Sequence, residues 1–303
     1  MLNLDDFYRA RYVLSNVVRR TDLIYAPKIN QESEIYLKPE NLQVTGSFKL
    51  RGACYKISQL GDEEKAKGVI ACSAGNHAQG VALGAAKYGI KSLICLPEGA
   101  PISKVEATRR LGADICLVPG VYDDAYRKAL ELRDEFGYTF IHPFDDERVI
   151  AGQGTIGLEL IEQLPDVDTV IVAGMGGKTI IHILSQASWT KAGSRLLLLQ
   201  PMSKQEDLRR WLNENGYAQC AERLVQDKDY LYPIFTVYGG PQPPLSVAEI
   251  YGGVDIEVDP LAREYLTQRI RRLEQAEQGL AKSSAGENHL QSRELGRIKQ
   301  ALI

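Results

Sequence analysis

The residues best suited to covalent chemistry surround a lysine. In Lys38-Pro39-Glu40-Asn41-Leu42-Gln43-Val44-Thr45-Gly46-Ser47-Phe48-Lys49-Leu50-Arg51-Gly52-Ala53, Thr45 and Gly46 make a turn and Ser47 can cap a helix, which puts Lys49 in that helix's first turn. The positive end of a helix disfavours an ammonium and favours a neutral amine or imine. An amine of lowered pKa is what attack on an aldehyde requires. The same spacing also describes an ordinary surface lysine at a helix start. A second segment, Cys72-Ser73-Ala74-Gly75-Asn76-His77-Ala78-Gln79-Gly80, sets small residues between a strand end and a helix start. Backbone N–H groups exposed there suit a carboxylate or a phosphate. Asn76 adds a neutral donor and acceptor. His77 reads either as a catalytic group or as a hydrogen-bonded histidine at a helix start.

Strands and helices alternate around these segments. Short apolar runs predict strands at 68–72, 92–96, 114–118, 138–141, 168–173 and 195–199. Helical patterns follow at 78–88, 103–111, 123–136 and 154–163. Alternation of this kind predicts an α/β fold with open parallel sheets and helices on both faces, the sheet running on uninterrupted past Asp168. Gly239-Gly240-Pro241-Gln242-Pro243-Pro244 is a breaker cluster. Beyond it, residues 259–303 are polar and charge-rich, with Leu261, Tyr265, Leu266, Ile270 and Leu273 at helical spacing. They predict a helical hairpin interrupted at 283–288, with Asp259 as N-cap and Pro260 at the first helical position.

The whole chain has 303 residues, 44% hydrophobic and 25% charged, enough to bury a sizeable core without disulfides. Its formal net charge of -3 excludes a globally basic nucleic-acid binder, though not a local basic patch. The five cysteines, Cys54, Cys72, Cys95, Cys116 and Cys220, form no CxxC pair, so neither a zinc site nor a disulfide scaffold is expected. Residues 1–20 carry Arg9, Arg11, Arg19 and Arg20 with no apolar run between them long enough for a signal peptide, and no later stretch reaches the roughly 18 apolar residues of a membrane span. The expectation is a cytoplasmic chain with reduced thiols.

The two segments, together with Leu96-Pro97-Glu98-Gly99-Ala100-Pro101, His142-Pro143-Phe144-Asp145-Asp146 and Ala151-Gly152-Gln153-Gly154-Thr155, resemble the pyridoxal-phosphate enzymes of fold type II. Threonine dehydratase and serine racemase are the nearest kind. The resemblance covers about residues 4–167. It implies that Lys49 forms an imine with pyridoxal phosphate and shuttles the substrate α-proton. Phe48 would pack beside the cofactor ring, and Asn76 would hydrogen-bond its phenolic oxygen. Ser73, Ala74, Gly75 and His77 would hold the substrate carboxylate, with Gln153 close by. The implied reaction removes the β-hydroxyl of threonine or serine, giving a 2-oxo acid and ammonia. The small amino-acid substrate is the implied partner, in a possible homo-oligomer.

Departures from that pattern begin after Gln163. The family's phosphate cradle of consecutive glycines is replaced by Ala173-Gly174-Met175-Gly176-Gly177-Lys178-Thr179. Gly176 and Gly177 align as cradle glycines, while Met175 and Lys178 replace the outer two; their side chains would either block the backbone approach that glycine permits or, at Lys178, meet the phosphate as a point charge. No Ser or Cys partner for the pyridine nitrogen is found downstream, which implies impaired activity. Asp168 to Gly177, then Leu197-Leu198-Leu199-Gln200-Pro201-Met202, then Leu208 to Tyr217 resemble instead the bacterial tRNA adenine-N1 methyltransferases. This second resemblance covers about 166–303. It implies the Rossmann-like half of a domain that binds S-adenosylmethionine, with a helical appendage and tRNA as partner. The acidic residues of that family's first cofactor loop are missing here. The expected division is therefore a PLP-enzyme-like region at 1–167, a Rossmann-like half sheet at 168–258 and a helical appendage at 259–303. Three readings stand: an impaired pyridoxal-phosphate lyase, a methyltransferase, or a folded chimera without activity.

Overall fold

The computed structural model describes residues 2–192 and 195–281, together with 296, 300 and 302. The chain divides into two compact units, 1–166 and 167–303.

In the first unit, α1 (Leu4–Leu14) opens on a capping box in which Asn3 and Asp6 exchange hydrogen bonds. A short antiparallel pair, β1 (Ile24–Tyr25) and β2 (Tyr36–Leu37), follows, then α2 (Lys49–Ser58) and α3 (Asp62–Lys67). The central sheet comes from β3 (Val69–Cys72), α4 (Asn76–Lys87), β4 (Ser92–Pro97), α5 (Ile102–Arg110), β5 (Asp114–Val118), α6 (Tyr122–Phe136) and β6 (Thr139–Phe140). Its order is β5-β4-β3-β6, all parallel. Helices cover both faces, because apolar residues of the buried strands point alternately each way. Val69, Ala71, Ile94 and Leu96 pack on Ala78, Val81, Ala82 and Ala85 of α4 and Val105 of α5. Ile70, Cys72 and Cys95 pack on Ala125 and Ala129 of α6. The last helix, α7 (Glu147–Gln163), begins seven residues before the expected start at Gly154. The Asp146 carboxylate accepts the amides of Arg148 and Val149 and caps it, so Gly152 and Gly154 lie inside the helix rather than before it.

The second unit contains β7 (Thr169–Met175), α8 (Gly177–Gln186), β8 (Leu196–Pro201), α9 (Gln205–Glu214), β9 (Tyr217–Asp227), β10 (Tyr230–Gly239), α10 (Val247–Gly252) and α11 (Ala262–Ala281). Its sheet order is β7-β8-β10-β9. Strands β7 and β8 are parallel, while β10 runs antiparallel to both β8 and β9. Ile180, Leu184, Leu208 and Leu212 of the helices pack on Leu197, Leu199, Phe235 and Val237. Arg209 and Glu222, both fully buried, pair at 2.6 Å.

Two expectations are corrected. The parallel sheet does not cross Asp168 uninterrupted: the hydrogen bonds place the strands in two separate four-stranded sheets, one per unit. Nor is the second sheet purely parallel. The β9/β10 hairpin was not expected, and it reverses through Lys228, which holds a left-handed φ of 54°. Helix α11 stands where the first arm of the C-terminal hairpin was expected; the second arm, apart from residues 296, 300 and 302, lies outside the described residues. Asp259 accepts the amides of Leu261 and, from β9, Leu224, and so ties the head of the appendage to the sheet.

Candidate active site

Lys49 is the first residue of α2, and the Ser47 hydroxyl accepts its amide at 3.3 Å. Glycines let the neighbouring helices close on this first turn. A Cβ at Gly80 of α4 would stand 3.1 Å from the carbonyl carbon and oxygen of Lys49. A Cβ at Gly152 of α7 would come within 2.6 Å of the Arg51 carbonyl oxygen and 2.7 Å of the Gly52 Cα. Helix α2 is thus held between α4 and α7 by close backbone contact, tight at Gly80 and too close for any larger residue at Gly152. The half-buried Lys49 amine donates to the Pro143 carbonyl at 2.8 Å and lies 5.2 Å from the centre of the Phe48 ring. Burial pushes its pKa below the usual lysine value. The direction is the one expected from a helix start, but desolvation is the cause.

At the C-terminal end of β3, Ser73, Ala74 and Gly75 are half-buried, and Asn76 opens α4 with its side chain exposed. The Ser73 hydroxyl accepts the Gly75 amide at 3.2 Å, which shapes the loop. His77 is buried and places Nε2 2.8 Å from the Ile141 carbonyl. Burial, first of all, lowers its pKa to about 4, and the charges of Lys49 and His142 add to the shift. His77 is therefore neutral near pH 7, with the Nε2 proton donated to Ile141. Gln153, on α7, accepts the Gly52 amide at 3.2 Å. His77 Nδ1, Gln153 Nε2 and Thr45 Oγ1 are buried polar atoms without a hydrogen-bond partner. Groups of that kind are costly unless a ligand or solvent meets them. They sit on the three segments read from the sequence as the site, and a polar ligand such as an amino acid on pyridoxal phosphate fits them.

A buried ionic network fixes the base of α2. Arg51, fully buried, donates to Glu40 at 2.7 and 2.8 Å and to Glu159 at 2.6 Å. Lys38 pairs with Glu159 at 2.6 Å. Burial alone would raise the Glu159 pKa, yet the hydrogen bonds from Arg51 and Lys38 hold it below the usual carboxylate range.

Gly176, Gly177 and Lys178 lie in the second unit, at the head of α8. The Gly177 amide donates to the Ser203 carbonyl at 2.7 Å, and a Cβ there would stand 2.3 Å from the Lys204 carbonyl oxygen. That glycine therefore serves packing against the loop after β8. Lys178 is exposed. The structure gathers Phe48, Lys49, Ser73, Ala74, Gly75, Asn76, His77 and Gln153 in the first unit and leaves these three in the second. Sequence reasoning missed the Ile141 and Pro143 carbonyls and the Arg51 network. The first two are backbone groups with no side-chain signature, and Arg51 reads as an ordinary helix cation. Among the described residues, no cluster of three or more His, Cys, Asp or Glu could hold a metal, and no helix is long and apolar enough to cross a membrane.

The comparisons agree with this geometry. The L-threonine ammonia-lyase of Thermotoga maritima is 52% identical over 182 residues, which are 59% of this chain and 45% of that protein. A catabolic L-threonine dehydratase of Escherichia coli is 49% identical over 185 residues, 59% of this chain and 55% of that protein. The chain thus spans about half the length of the curated relatives it matches. The solved structure of maize serine racemase aligns with a TM-score of 0.59 at 33% identity, covering 71% of this chain and 65% of that one. A family model described as pyridoxal-phosphate dependent enzyme matches residues 14–233, running past the point where the second resemblance begins. The chain belongs to the pyridoxal-phosphate dependent enzyme family.

Proposed function

We propose that this protein removes the β-hydroxyl of threonine or serine with pyridoxal phosphate, releasing a 2-oxo acid and ammonia. One observation carries the proposal: a half-buried amine of lowered pKa, Lys49, at the tightly packed head of α2. The relatives named as threonine ammonia-lyase and dehydratase support the same chemistry. When bound, the cofactor supplies an electron sink for the bond broken at the substrate Cα. Lys49 would hold the cofactor aldehyde and move the α-proton at Nζ. Phe48 would lie beside the ring, and Asn76 would hydrogen-bond its phenolic oxygen. Ser73, Ala74, Gly75 and Gln153, with the backbone of His77, would receive the substrate carboxylate, for which Gln153 Nε2 has a free donor. Neutral His77 leaves that carboxylate to hydrogen bonds rather than to a histidine charge.

Turnover is slow in this reading. Around Gly176, Gly177 and Lys178 the sequence departs from the family's run of consecutive glycines, and the Gly177 amide is bonded to Ser203. No partner for the pyridine nitrogen was found in the sequence. The test is release of 2-oxo acid and ammonia from threonine and serine by protein incubated with pyridoxal phosphate. The rate expected is well below the typical enzyme value of about 10 per second. A rate at or above that value refutes the impairment, and identical traces from wild type and Lys49→Ala refute the assignment.

For the second unit we infer a Rossmann-like half sheet. The parallel pair β7 and β8, joined through α8 with Gly176 at its cap, supports this. S-adenosylmethionine as an alternative cofactor, with tRNA as partner, rests on the sequence resemblance alone. The missing acids argue for binding weaker than micromolar, and calorimetry with S-adenosylmethionine decides it. Five free cysteines fit the reducing conditions of a cytoplasm.

A further inference from the structure

Residues 141–146 link β6 to α7 and are fixed at both ends. At one end, the Ile141 amide donates to the Ile70 carbonyl at 2.9 Å, and its own carbonyl faces His77 Nε2. At the other, Asp146 caps α7 and pairs with Lys56 at 2.7 Å. The four residues between them have no regular structure. Pro143 has no amide N–H, so few backbone donors are left to shape the turn. Two of them converge on one atom: the amides of Phe144 and Asp145 donate to His142 Nδ1, at 3.3 and 2.7 Å. Among the described residues these are the hydrogen bonds made by those two amides. The imidazole is held in place by the Phe144 ring, edge-on at 4.7 Å between centroids, and by the Phe140 ring at 6.2 Å. The carbonyl inside the turn is that of Pro143, the acceptor of the Lys49 amine at 2.8 Å.

We infer that His142 is a positioning residue for Lys49: its Nδ1 closes the 142–145 turn and so aims the Pro143 carbonyl at the lysine amine. The inference rests on Lys49 being the cofactor-bearing amine. His142 does here what Asn and Asp side chains do when they accept amides two and three residues on. Accepting at Nδ1 puts the ring proton on Nε2. A lysine side chain has about 2 kcal/mol of rotamer entropy to lose, and a fixed acceptor orders it before the aldehyde arrives. Without the turn, the Pro143 carbonyl is free to swing, and water reaches the amine.

Two readouts test this on the full chain with His142→Ala and His142→Asn. The first uses protein without cofactor: the pH dependence of Lys49 acetylation by acetic anhydride, followed by mass spectrometry of the Lys49 peptide. The second is the rate of covalent attachment of pyridoxal phosphate, followed by its absorbance. In His142→Ala, the acetylation midpoint rises toward that of an ordinary lysine. Cofactor attachment slows about fivefold, the factor carried by one ordinary neutral hydrogen bond. His142→Asn keeps a side-chain acceptor at the same reach and restores both. Wild-type behaviour of folded His142→Ala in both readouts overturns the inference. So does a His142→Asn that behaves like the alanine variant. If His142→Ala does not fold, His142→Gln, one methylene too long to close the turn, takes its place with the same expected losses. Should wild type itself attach no pyridoxal phosphate, the functional reading fails, and the acetylation profile still decides the role of His142.

Discussion

Replacing Arg51 by leucine removes the cation at the centre of the buried network beneath Lys49. Arg51 is fully buried and makes hydrogen bonds to both Glu40 and Glu159, and Thr155 Oγ1 accepts from it at 3.1 Å. The variant leaves Glu159 with Lys38 and Glu40 with Thr21. Breaking a buried pair from one side costs about 3–5 kcal/mol, because the remaining carboxylates stay desolvated. With a urea m-value of about 2 kcal/mol per molar, the midpoint of the first unit falls by about 1.5–2.5 M. The loss depends on pH. In wild type, the Glu159 carboxyl titrates below its unfolded value, so its stabilisation is present above the unfolded carboxylate pKa and is lost as pH falls through the depressed one. Without Arg51, that carboxyl titrates higher and accepts a proton more readily. The gap between wild type and variant is therefore largest near pH 7 and narrows as pH falls to about 4. Urea unfolding monitored by circular dichroism at pH 7 and pH 4 measures both numbers. A midpoint shift under about 0.5 M at pH 7, or a gap that does not narrow at pH 4, refutes the view that the network stabilises the site.

Gly152→Ala places a methyl 2.6 Å from the Arg51 carbonyl oxygen, so α2 and α7 separate. Overpacking of about 1–3 kcal/mol outweighs the gain of under about 1 kcal/mol in helix propensity, and urea unfolding reads the net loss. His77, with a pKa of about 4, shows no imidazole titration by NMR between pH 5 and 8. The unfolded histidine protonates near pH 6.5, so stability declines as pH falls from there toward 4. Burial raises the thiol pKa of Cys54 and Cys95 to about 12 and that of Cys72 to about 11, so a disulfide reagent modifies exposed Cys220 long before these three.

Strands β3 and β4 were legible because each is a short apolar run that the fold largely buries, as in Val69-Ile70-Ala71-Cys72, whereas the mostly exposed pair β1 and β2 was not expected. The early start of α7 was hidden behind Gly152 and Gly154, which look like breakers; the signal that overrides them is the Asp146 cap. The β9/β10 hairpin was obscured by Glu222 and Arg223 in one strand and by Pro233 in the other. Glu222 is tolerated because Arg209 neutralises it. Pro233 lies outside the Phe235–Val237 stretch that bonds β8, where its missing N–H costs no ladder bond. Sheet continuity was misread because a parallel strand does not carry the identity of its neighbour in its own residues. At the site, Lys49 and the Ser73–His77 loop were legible from residue types. The orientation of the amine was not, since it depends on the Pro143 carbonyl, and a carbonyl looks the same at every position.

The central claim is that Lys49 is the residue to which pyridoxal phosphate attaches. Protein incubated with the cofactor, reduced with borohydride and digested gives the most direct answer by peptide mass. The account predicts a pyridoxyl-phosphate adduct on the peptide bearing Lys49, and no comparable adduct in Lys49→Ala. An adduct on another lysine, or equal uptake by the alanine variant, contradicts it.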